Sequence, residues 1–554
     1  MRHLFLAVPL LPALALAQQT RQYTETTPEG VFTRTETRGA PAVTPLANPN
    51  PSPAGLRWTY PNIPGTPWIS ESVSVGARGT FAWLGQNLNG RRLSLLGTTD
   101  DQPTPAPIYE DPISGTPTIR VAAADNGSGC AVALNLGAGT GELRYYVASS
   151  PLPVWTTTIA TNPNGSAFLP RISANGRVVA VGFNDAAGVA TVQVFDALSP
   201  LPTTPIATRT VSSSGLRNFD ISGDGLTLLI ASNVRDHVVD VTTGVEAFST
   251  STVSVDAHSI DGDGDTFGRG GFDVGAWRRI NGTWTQVLPT FRDNTLGFGV
   301  YTACDISADG STFVVAGTDA NNQYLPFRVY CWSIANTGAT LLWTFSSLGT
   351  GSFQDTPQAV SVSDDGRWIA VASWGDAGNT HPEVMLFDRN AGNVPVDSID
   401  TPGSAFDADL SGDGQFTIAG TKSVHANTFG NGGAGYSFDR GGQGLVLRGT
   451  ASLTRTITLE ARGNQGDAVA LLIGTSLGAP ITVPGFAGSL VVSLATPYIG
   501  PVTIGGVPPS GALSLPIVVA NDPTLLGASL FAQTIRVGTA GAEIDNHVAI
   551  RFTP

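Results

Sequence analysis

The sequence predicts an all-β protein, in which an eight-bladed β-propeller, or alternatively a seven-bladed one, is followed by a small β-sandwich. Three observations lead to this fold class. A phrase of the form apolar-Ser-x-Asp-Gly recurs along the chain, short apolar runs flank each copy, and long helical periodicity is absent. The 66 glycines and 38 prolines among 554 residues also favour many short strands joined by tight turns.

The first 17 residues have the pattern of a secretory signal peptide. Arg2 precedes an apolar stretch over residues 4–16, and the small residues Ala15 and Ala17 suit cleavage after Ala17. That stretch is shorter than the ~20 residues that a membrane-spanning helix needs. We therefore expect export without a transmembrane segment, ending in the periplasm, at the cell surface or in the medium. Residues 18–55, rich in Thr and Pro, are predicted to be a disordered spacer.

The repeated phrase marks eight copies of one unit. Its turn glycine recurs at intervals of 39 to 56 residues, at Gly79, Gly127, Gly176, Gly225, Gly264, Gly310, Gly366 and Gly414. Intervals of this size are typical of repeat architectures, in which each repeat is one supersecondary unit. Asp-Gly or Asn-Gly between two apolar runs favours a type I′ turn, whose two central residues both need positive φ. Each unit is therefore predicted to begin with a tight β-hairpin.

Two further strands complete each unit. A third alternating run includes "EVMLFDR" at residues 383–389, and a fourth often carries tryptophan, as in "LLWTFSS" at residues 341–347. Four antiparallel strands per repeat is the pattern of a propeller blade. "LRWTYPN" at residues 56–62 has the pattern of a fourth strand without the first three. We expect it to close the ring against the last unit, within a propeller spanning residues 56–440.

Several of these phrases resemble those of the WD40-like and quinoprotein-dehydrogenase-like propellers of bacteria and archaea. They include "DISADGSTFVVAGT" at residues 305–318, "TVQVFDA" at 191–197 and "EVMLFDR". The resemblance covers residues 56–440 and implies the propeller fold, in a superfamily that includes enzymes, binders and scaffolds. For its quinoprotein members it also implies a pyrroloquinoline cofactor beside adjacent cysteines. This chain has no adjacent cysteines.

The three cysteines are predicted to be free thiols. Cys304 and Cys331 fall in the first and third strands of one unit, and Cys130 lies in another. Two strand spacings of ~4.8 Å place the first pair roughly 10 Å apart, which is too far for a disulfide.

Residues 441–554 lack the repeated phrase and are predicted to form the β-sandwich. Short runs such as "ITLEARG" and "HVAIRF" alternate with Gly and Pro turns. "GDAVALLIG" at residues 466–474, "PGFAGSLVV" at 484–492 and "ANDPTLLGASLFAQ" at 520–533 resemble a small module at the C-terminus of large exported bacterial proteins. A sorting or surface-attachment role is one hypothesis, and simple capping of the propeller is the other.

One acidic segment suggests a calcium loop. Asp261, Asp263 and Asp265 alternate in "DGDGD", as the first three ligands of such a loop do, and Asp273 is the candidate fourth. Thr266 stands where these loops have glycine, and Phe272 stands where they have a bidentate Glu. The alternative is an over-acidic copy of the repeated turn. Calcium is the single cofactor that the residues themselves suggest.

The loops opposite the Asp-Gly turns carry the candidate binding residues, since a rigid scaffold there presents aromatic and polar side chains together. These candidates are Phe291, Arg292, Asp293, Tyr324, Phe353, Asp355, Trp374, Asp376, His381 and His425. His381 and His425 lie on neighbouring units, where they either share a metal or are ordinary surface histidines. Each of the ten is otherwise interpreted as a solvated loop residue.

Composition and motifs favour binding over catalysis. A formal charge of −14 without a basic cluster argues against nucleic acid and anionic membranes as partners. H-E-x-x-H, the motif of zinc peptidases, does not occur. The sequence therefore predicts a non-catalytic binding or scaffold protein with a protein or polysaccharide partner. The alternative is a propeller enzyme, such as a lyase, lactonase or oxidoreductase, acting at the central channel.

Overall fold

A computed structural model gives the structure of the chain. It describes residues 20–552 apart from residues 28–29, 38–54, 62–67, 77–80, 89–90, 99–104, 106, 116, 126, 128, 149, 163–167, 212–214, 252–254, 323–325, 349–355, 376–380, 423–432, 441, 450, 488, 527 and 540. The predicted signal peptide lies outside these residues. Within them, regular structure consists of β-strands and two single-turn 3-10 helices, Ala320–Asn322 and Pro523–Leu525. No helix in the described ranges is long and apolar enough to cross a membrane.

Four-stranded antiparallel sheets, named I to VIII in chain order, make up most of the structure. Sheet I contains Trp68–Val75, Phe81–Leu88, Arg92–Gly97 and Tyr109–Pro112. Sheet II contains Thr118–Ala123, Cys130–Gly137, Thr140–Tyr146 and Trp155–Ala160. Sheet III contains Phe168–Ile172, Val178–Asn184, Ala190–Asp196 and Ala207–Thr210. Sheet IV contains Leu216–Ile221, Thr227–Ser232, Arg235–Asp240 and Glu246–Ser251.

The remaining four sheets follow the same order of strands. Sheet V contains Val255–Ile260, Thr266–Gly271, Val274–Ile280 and Thr283–Phe291. Sheet VI contains Gly299–Ile306, Thr312–Asp319, Phe327–Ala335 and Gly338–Ser347. Sheet VII contains Pro357–Val362, Trp368–Ser373, Val384–Asp388 and Asp397–Ile399. Sheet VIII contains Ala405–Leu410, Phe416–Thr421, Ala434–Asp439 and, as its fourth strand, Gly55–Pro61.

The sheets are arranged in a closed circle. The first strand of each sheet contacts the first strand of the next, and Ala405–Leu410 of sheet VIII contacts Trp68–Val75 of sheet I. Apolar side chains from neighbouring sheets form shared clusters, such as the one that joins the sheet III and sheet IV strands around Phe219. Repeated four-stranded sheets packed in a closed circle form a β-propeller, which agrees with the prediction of an all-β propeller.

The predicted closing strand is confirmed. Gly55–Pro61 pairs antiparallel with Ala434–Asp439, so the N-terminal strand completes the last sheet. Trp58 is buried there and donates its indole N–H to the carbonyl of Gly97 in sheet I at 3.0 Å. The strand therefore removes the open edge of sheet VIII and also contacts the sheet that follows it.

The segment predicted as a disordered spacer contains a hairpin. Thr20–Thr27 pairs antiparallel with Gly30–Thr37 in a two-stranded sheet. This departs from the prediction of disorder over residues 18–55. The physical reason is composition, because both strands are rich in threonine, whose β-branched side chain favours extended backbone.

The turn glycines have the predicted positive φ, but the turn type differs from the prediction. In the described copies of the turn the glycine φ lies between 66° and 74°. In the copies where the Asp or Asn before the glycine is described, it does not have positive φ, because the described non-glycine residues that do are Ala138, Asn281 and Thr454. The turn is therefore longer than a type I′ turn. The left-handed glycine is the fourth residue of a β-turn and donates its N–H to the carbonyl of the first residue, an arrangement that also occurs in β-hairpins.

The turn in sheet VI explains why the phrase requires serine and aspartate. Ser307 Oγ donates to Asp309 Oδ1 at 2.5 Å and accepts the backbone N–H of Thr312 at 3.0 Å. Asp309 Oδ1 also accepts the N–H of Ser311 at 2.9 Å, and the N–H of Gly310 reaches the Ser307 carbonyl. The same side-chain network recurs at Ser173, Ser222, Ser363 and Ser411. The phrase thus encodes a self-contained hydrogen-bonded turn.

The C-terminal module, residues 441–554, is also built from strands. One sheet contains Gly444–Arg448, Thr456–Arg462 and Ala512–Val518. A second contains, in spatial order, Phe486–Ala487, Gly541–Arg551, Ser529–Gly538, Ala468–Gly474 and Tyr498–Gly506. Leu477–Thr482 pairs with Ser489–Val492 in a third. The first two sheets share one buried apolar cluster that includes Leu459, Val469 and Ile550.

The cysteines are free, as predicted. Cys304 lies in the first strand of sheet VI and Cys331 in its third strand. Cys130 and Cys331 are fully buried among apolar side chains, and burial raises the pKa of both thiols. They contribute to packing.

We predict that Ser307→Ala destabilises the protein more than Ser311→Ala does. Ser307 is fully buried, and its loss leaves the Thr312 N–H without its acceptor, at a cost of about 1–3 kcal/mol. Ser311 donates to the same aspartate but is only half-buried, so its loss should cost about 0.5 kcal/mol. Chemical unfolding of both variants measures the difference. Equal losses would contradict a structural role for the buried serine network.

Candidate functional site

The ring has two faces with different chemistry. The turn face carries the Asp-Gly turns, with the connections between third and fourth strands. The loop face carries the connections between second and third strands and those from one sheet to the next. Five of the ten predicted binding residues are described, all of them on the loop face. The other five, Tyr324, Phe353, Asp355, Asp376 and His425, lie outside the described residues.

Phe291 and Asp293 are parts of the scaffold rather than free surface. The Phe291 ring packs against Tyr301, Tyr330 and Trp332 at centroid distances of 5.3–6.4 Å. Asp293 accepts a hydrogen bond from the Tyr330 hydroxyl at 2.7 Å and forms an ion pair with Arg328. Although desolvation opposes it, hydrogen bonds from Tyr330 and Thr295 lower the pKa of Asp293 to about 2. The carboxylate therefore anchors the connection between sheets V and VI.

Arg292 projects from the same connection and is the exposed end of a chain of charges. Its side chain is 61% exposed and lies 3.7 Å from Asp273. Asp273 pairs with Arg269 at 3.2 Å, which in turn pairs with Asp236 at 3.0 Å. Asp236 Oδ1 contacts His258 Nε2 at 2.8 Å, where both side chains are fully buried. This chain links sheets IV and V from the loop face to the interior.

Trp374 and His381 lie on the loop-face connections of sheet VII, apart from Arg292. The Trp374 ring contacts Phe406 at a centroid distance of 6.4 Å, and its backbone N–H reaches the Thr356 carbonyl at 3.0 Å. His381 Nδ1 forms a hydrogen bond with the Ser347 hydroxyl of sheet VI. The structure thus brings Arg292 and Asp293 together and places Trp374 and His381 elsewhere on the face. His425, which was predicted either to share a metal with His381 or to be an ordinary surface histidine, lies outside the described residues.

Exposed side chains around Arg292 form what we call the arginine–aromatic patch: Arg217, Val234, Arg235, Arg292 and Phe298. All lie at the loop-face ends of sheets IV to VI. Val234 is 54% exposed and Phe298 is 44% exposed, with the Phe298 ring 5.1 Å from that of Phe272. Arg217 and Arg235 are also exposed. Sequence reasoning found Arg292 but missed the others. Phe298 lies on the same connection as Arg292, whereas Arg217, Val234 and Arg235 lie beside or within the strands of sheet IV.

The predicted calcium site is not assembled. Asp261, Asp263 and Asp265 lie in the turn of sheet V, on the turn face, whereas Asp273 follows the strand Thr266–Gly271 at its opposite end. At about 3.3 Å per residue, that strand separates the fourth candidate from the other three by well over 10 Å. Asp265 is paired with Arg279 at 2.5 Å. Among the described residues, no group of three or more His, Cys, Asp or Glu side chains is placed to hold a metal.

Asp261 instead occupies the place of the buried serine in the turn network. Its Oδ1 accepts the N–H of Asp265 at 2.9 Å, and Asp263 Oδ1 accepts the same N–H at 3.2 Å. Desolvation, followed by the charge of Asp263, raises the pKa of Asp261 well above its usual range. A protonated Asp261 can donate to Asp263 as serine does in the other copies. This agrees with the alternative of an over-acidic turn.

A belt of polar side chains around the central channel was missed by the sequence analysis. It consists of the residues two positions before the buried serine position. In sheets IV, VI and VIII these are Asp220, Asp305 and Asp409, and in sheets V, VII and I they are Ser259, Ser361 and Ser74. Aspartate and serine thus alternate along six consecutive sheets. The phrase "DISADGSTFVVAGT" begins with one belt residue, Asp305, but one copy alone does not reveal the alternation.

Each belt side chain accepts a backbone N–H from the next sheet. Asp305 Oδ2 accepts from Val362 at 2.7 Å, and Asp409 Oδ2 accepts from Val75 at 2.9 Å. The same contact joins Asp220 to Ile260, Ser259 to Ile306, Ser361 to Leu410 and Ser74 to Ala123. The serine hydroxyls also donate to neighbouring aspartates, as Ser259 does to Asp305 at 2.7 Å. The first strand of each sheet lies innermost and has no ladder partner on the channel side. These contacts therefore satisfy the N–H groups that point toward the channel.

The belt carboxylates have a structural role, because their oxygens accept hydrogen bonds from the chain itself. Desolvation raises the pKa of Asp305 to about 7, although the hydrogen bonds from Ser259 and Val362 act to lower this pKa. Near the turn-face mouth, desolvation followed by the charges of Asp364 and Asp409 raises the pKa of Asp125 to about 8. Perturbed carboxyl groups are a feature of active sites, but structural networks produce them as well. Here the Asp305 oxygens are occupied by donors from the chain itself.

Comparisons with known proteins identify no family. No protein-family model matches the chain, and no curated protein matches it. One similar solved structure is a chain of "Crystal Structure of Mitotic Checkpoint Complex", with 16% identity and a TM-score of 0.41, covering 70% of this chain and 98% of that one. The fold assignment accordingly rests on the sheets, their order and their contacts.

We predict that Asp261→Ser stabilises the protein at neutral pH. Because the pKa of Asp261 is raised in the folded chain, its contribution to the unfolding free energy is full at acid pH and is lost as pH rises through the folded-state pKa. The facing charges are Asp263 and the Asp265–Arg279 pair. Serine needs no proton, so the variant should gain about 1 kcal/mol above pH 7, the usual contribution of one hydrogen bond.

Chemical unfolding between pH 4.5 and pH 8 measures this effect. The matched variant is Ser307→Asp, which should introduce the same pH dependence into the turn of sheet VI. A difference in unfolding free energy between the Asp261→Ser variant and the wild type that stays constant over this pH range would contradict a protonated Asp261 that donates to Asp263.

Proposed function

We propose that this chain is an exported, non-catalytic binding or scaffold protein. In this proposal the eight sheets are the blades of a WD40-like propeller, the C-terminal module is a β-sandwich, and the loop face engages a partner. The observation that carries the proposal is the contrast between the two faces. The turn face is partly covered by the module, while the loop face presents the arginine–aromatic patch to solvent.

Burial of the turn face supports this assignment. The apolar cluster of sheets I and II, which includes Trp83 and Cys130, continues into the module through Leu472, Phe531 and Ile544. A partner approaching the turn face over these sheets would meet the module first. The loop-face ends of sheets IV to VI carry no such cover within the described residues, so they are the more accessible surface.

The chemistry of the patch favours a protein partner over a polysaccharide. Arginine and aromatic side chains are enriched at the energetic centres of protein interfaces. Arg292 and Phe298 supply both kinds of side chain on one connection, and Asp293 holds that connection rigid through Tyr330. A pre-ordered loop loses less conformational entropy on binding than a flexible one.

The enzyme alternative is less well supported. It needs channel groups that are available to a substrate, and the belt carboxylates already accept backbone N–H groups. Asp305 has the pKa expected of a general acid or base, but both its oxygens are engaged within the ring. Export is supported by the pattern of residues 1–17, and a bacterial source by the resemblance of the repeats.

We predict that Arg292→Glu and Phe298→Ser each weaken partner binding at least tenfold without altering stability. The immobilised mature chain would first be screened against purified exported proteins and against oligosaccharides, followed by titration of any binder. Leu201→Ser is the matched control, because Leu201 is 68% exposed on the turn face of sheet III. A binder that is affected by Leu201→Ser and not by the loop-face variants would assign the site to the other face. Turnover of a screened compound that is lost in Asp305→Ser would favour the enzyme.

A further inference from the structure

The C-terminal module meets the ring where the circle is closed. Sheet VIII is completed by a strand from the N-terminal side, Gly55–Pro61, which pairs with Ala434–Asp439. The module begins directly after that third strand. The N-terminal strand, the third strand of sheet VIII and the module therefore come together at one end of this sheet.

Asp439 is the point at which these three parts meet. It is the last residue of the third strand of sheet VIII, and Arg57 of the closing strand lies 3.7 Å from its carboxylate. Arg462 of the module reaches the same carboxylate at 3.0 Å. The Arg462 side chain is 2% exposed and that of Asp439 is 5% exposed, so solvent does not screen the pair. Within the module, Glu460 holds Arg462 from the other side at 2.8 Å.

A second contact joins the module to sheets I and II. His547 is fully buried and lies edge-on to Phe81, the first residue of the second strand of sheet I, at a centroid distance of 5.4 Å. It also covers Gly127 in the turn of sheet II, where an added Cβ would come within 3.0 Å of the imidazole. Burial lowers the pKa of His547 to about 3, so the ring is neutral and packs as an apolar group. The module therefore spans from the closing sheet to the two sheets that follow it.

We infer that the C-terminal module locks the closed ring, holding the N-terminal strand in sheet VIII through the Arg462–Asp439–Arg57 contact and unfolding together with the propeller. Removing one partner of a buried ion pair is strongly destabilising, because the other charge is left in a low-dielectric environment. The apolar cluster shared with sheets I and II makes separate unfolding of the module costly as well. This role differs from a detachable surface anchor, which requires only a linker between two independent units.

The test compares Arg462→Met with Arg448→Met in the full mature chain. Both arginines pair with Glu460, but Arg448 contacts the module alone, at 3.2 Å from that carboxylate, and is the matched control. Amide hydrogen exchange followed by mass spectrometry reads the protection of residues 55–61. We expect exchange in that strand to become at least tenfold faster in Arg462→Met and to remain unchanged in Arg448→Met. Unchanged protection in a folded Arg462→Met variant would overturn the proposal.

Calorimetry of the unmodified chain gives an independent test that needs no variant. If the module holds the ring closed, the ring and the module should unfold together in one cooperative thermal transition. Two separate transitions, with the ring still closed after the module has unfolded, would overturn the proposal even if every variant failed to fold.

Discussion

Closure of the ring depends on satisfying the inward-facing N–H groups of the innermost strands. These strands have a ladder partner on one side only, so their channel-side N–H groups need other acceptors. The alternating aspartates and serines provide them, each accepting from the next sheet, as Asp305 does from Val362 and Ser259 from Ile306. The belt side chains therefore link neighbouring sheets and also satisfy the N–H groups that face the channel. Any function of the channel has to leave this belt in place.

The need for hydrogen-bond acceptors also explains the positions of many acidic residues. Within the repeated turns, an aspartate such as Asp309 accepts two local donors and fixes the first hairpin of its sheet. In the belt, Asp220 and Asp409 join neighbouring sheets. On the loop face, Asp293 anchors a connection. Much of the acidic surplus of the chain is thus structural, and clusters such as Asp261 to Asp265 are variants of a turn.

The two faces of the ring consequently have different roles. The turn face contains self-contained turns and receives the C-terminal module, which reaches from Asp439 to Phe81. The connections on the loop face vary in length and chemistry from sheet to sheet. A scaffold that is rigid on one side and variable on the other suits recognition, because sequence changes in the loops leave the hydrogen-bonded framework intact.

The sequence by itself determined the four-strand repeat of the ring, the positions of the turn glycines and the closing strand, because the bonds of each turn lie within six residues and the repeat shows them several times. It could not determine the belt, since the acceptor for Val362 comes from Asp305 in another sheet. Nor could it show that Asp273 lies far from Asp261, that the partly buried Phe291 packs against Tyr330, or that His547 covers Gly127. Only the tertiary structure decided these contacts, because they depend on the angle and distance at which whole sheets pack around the ring.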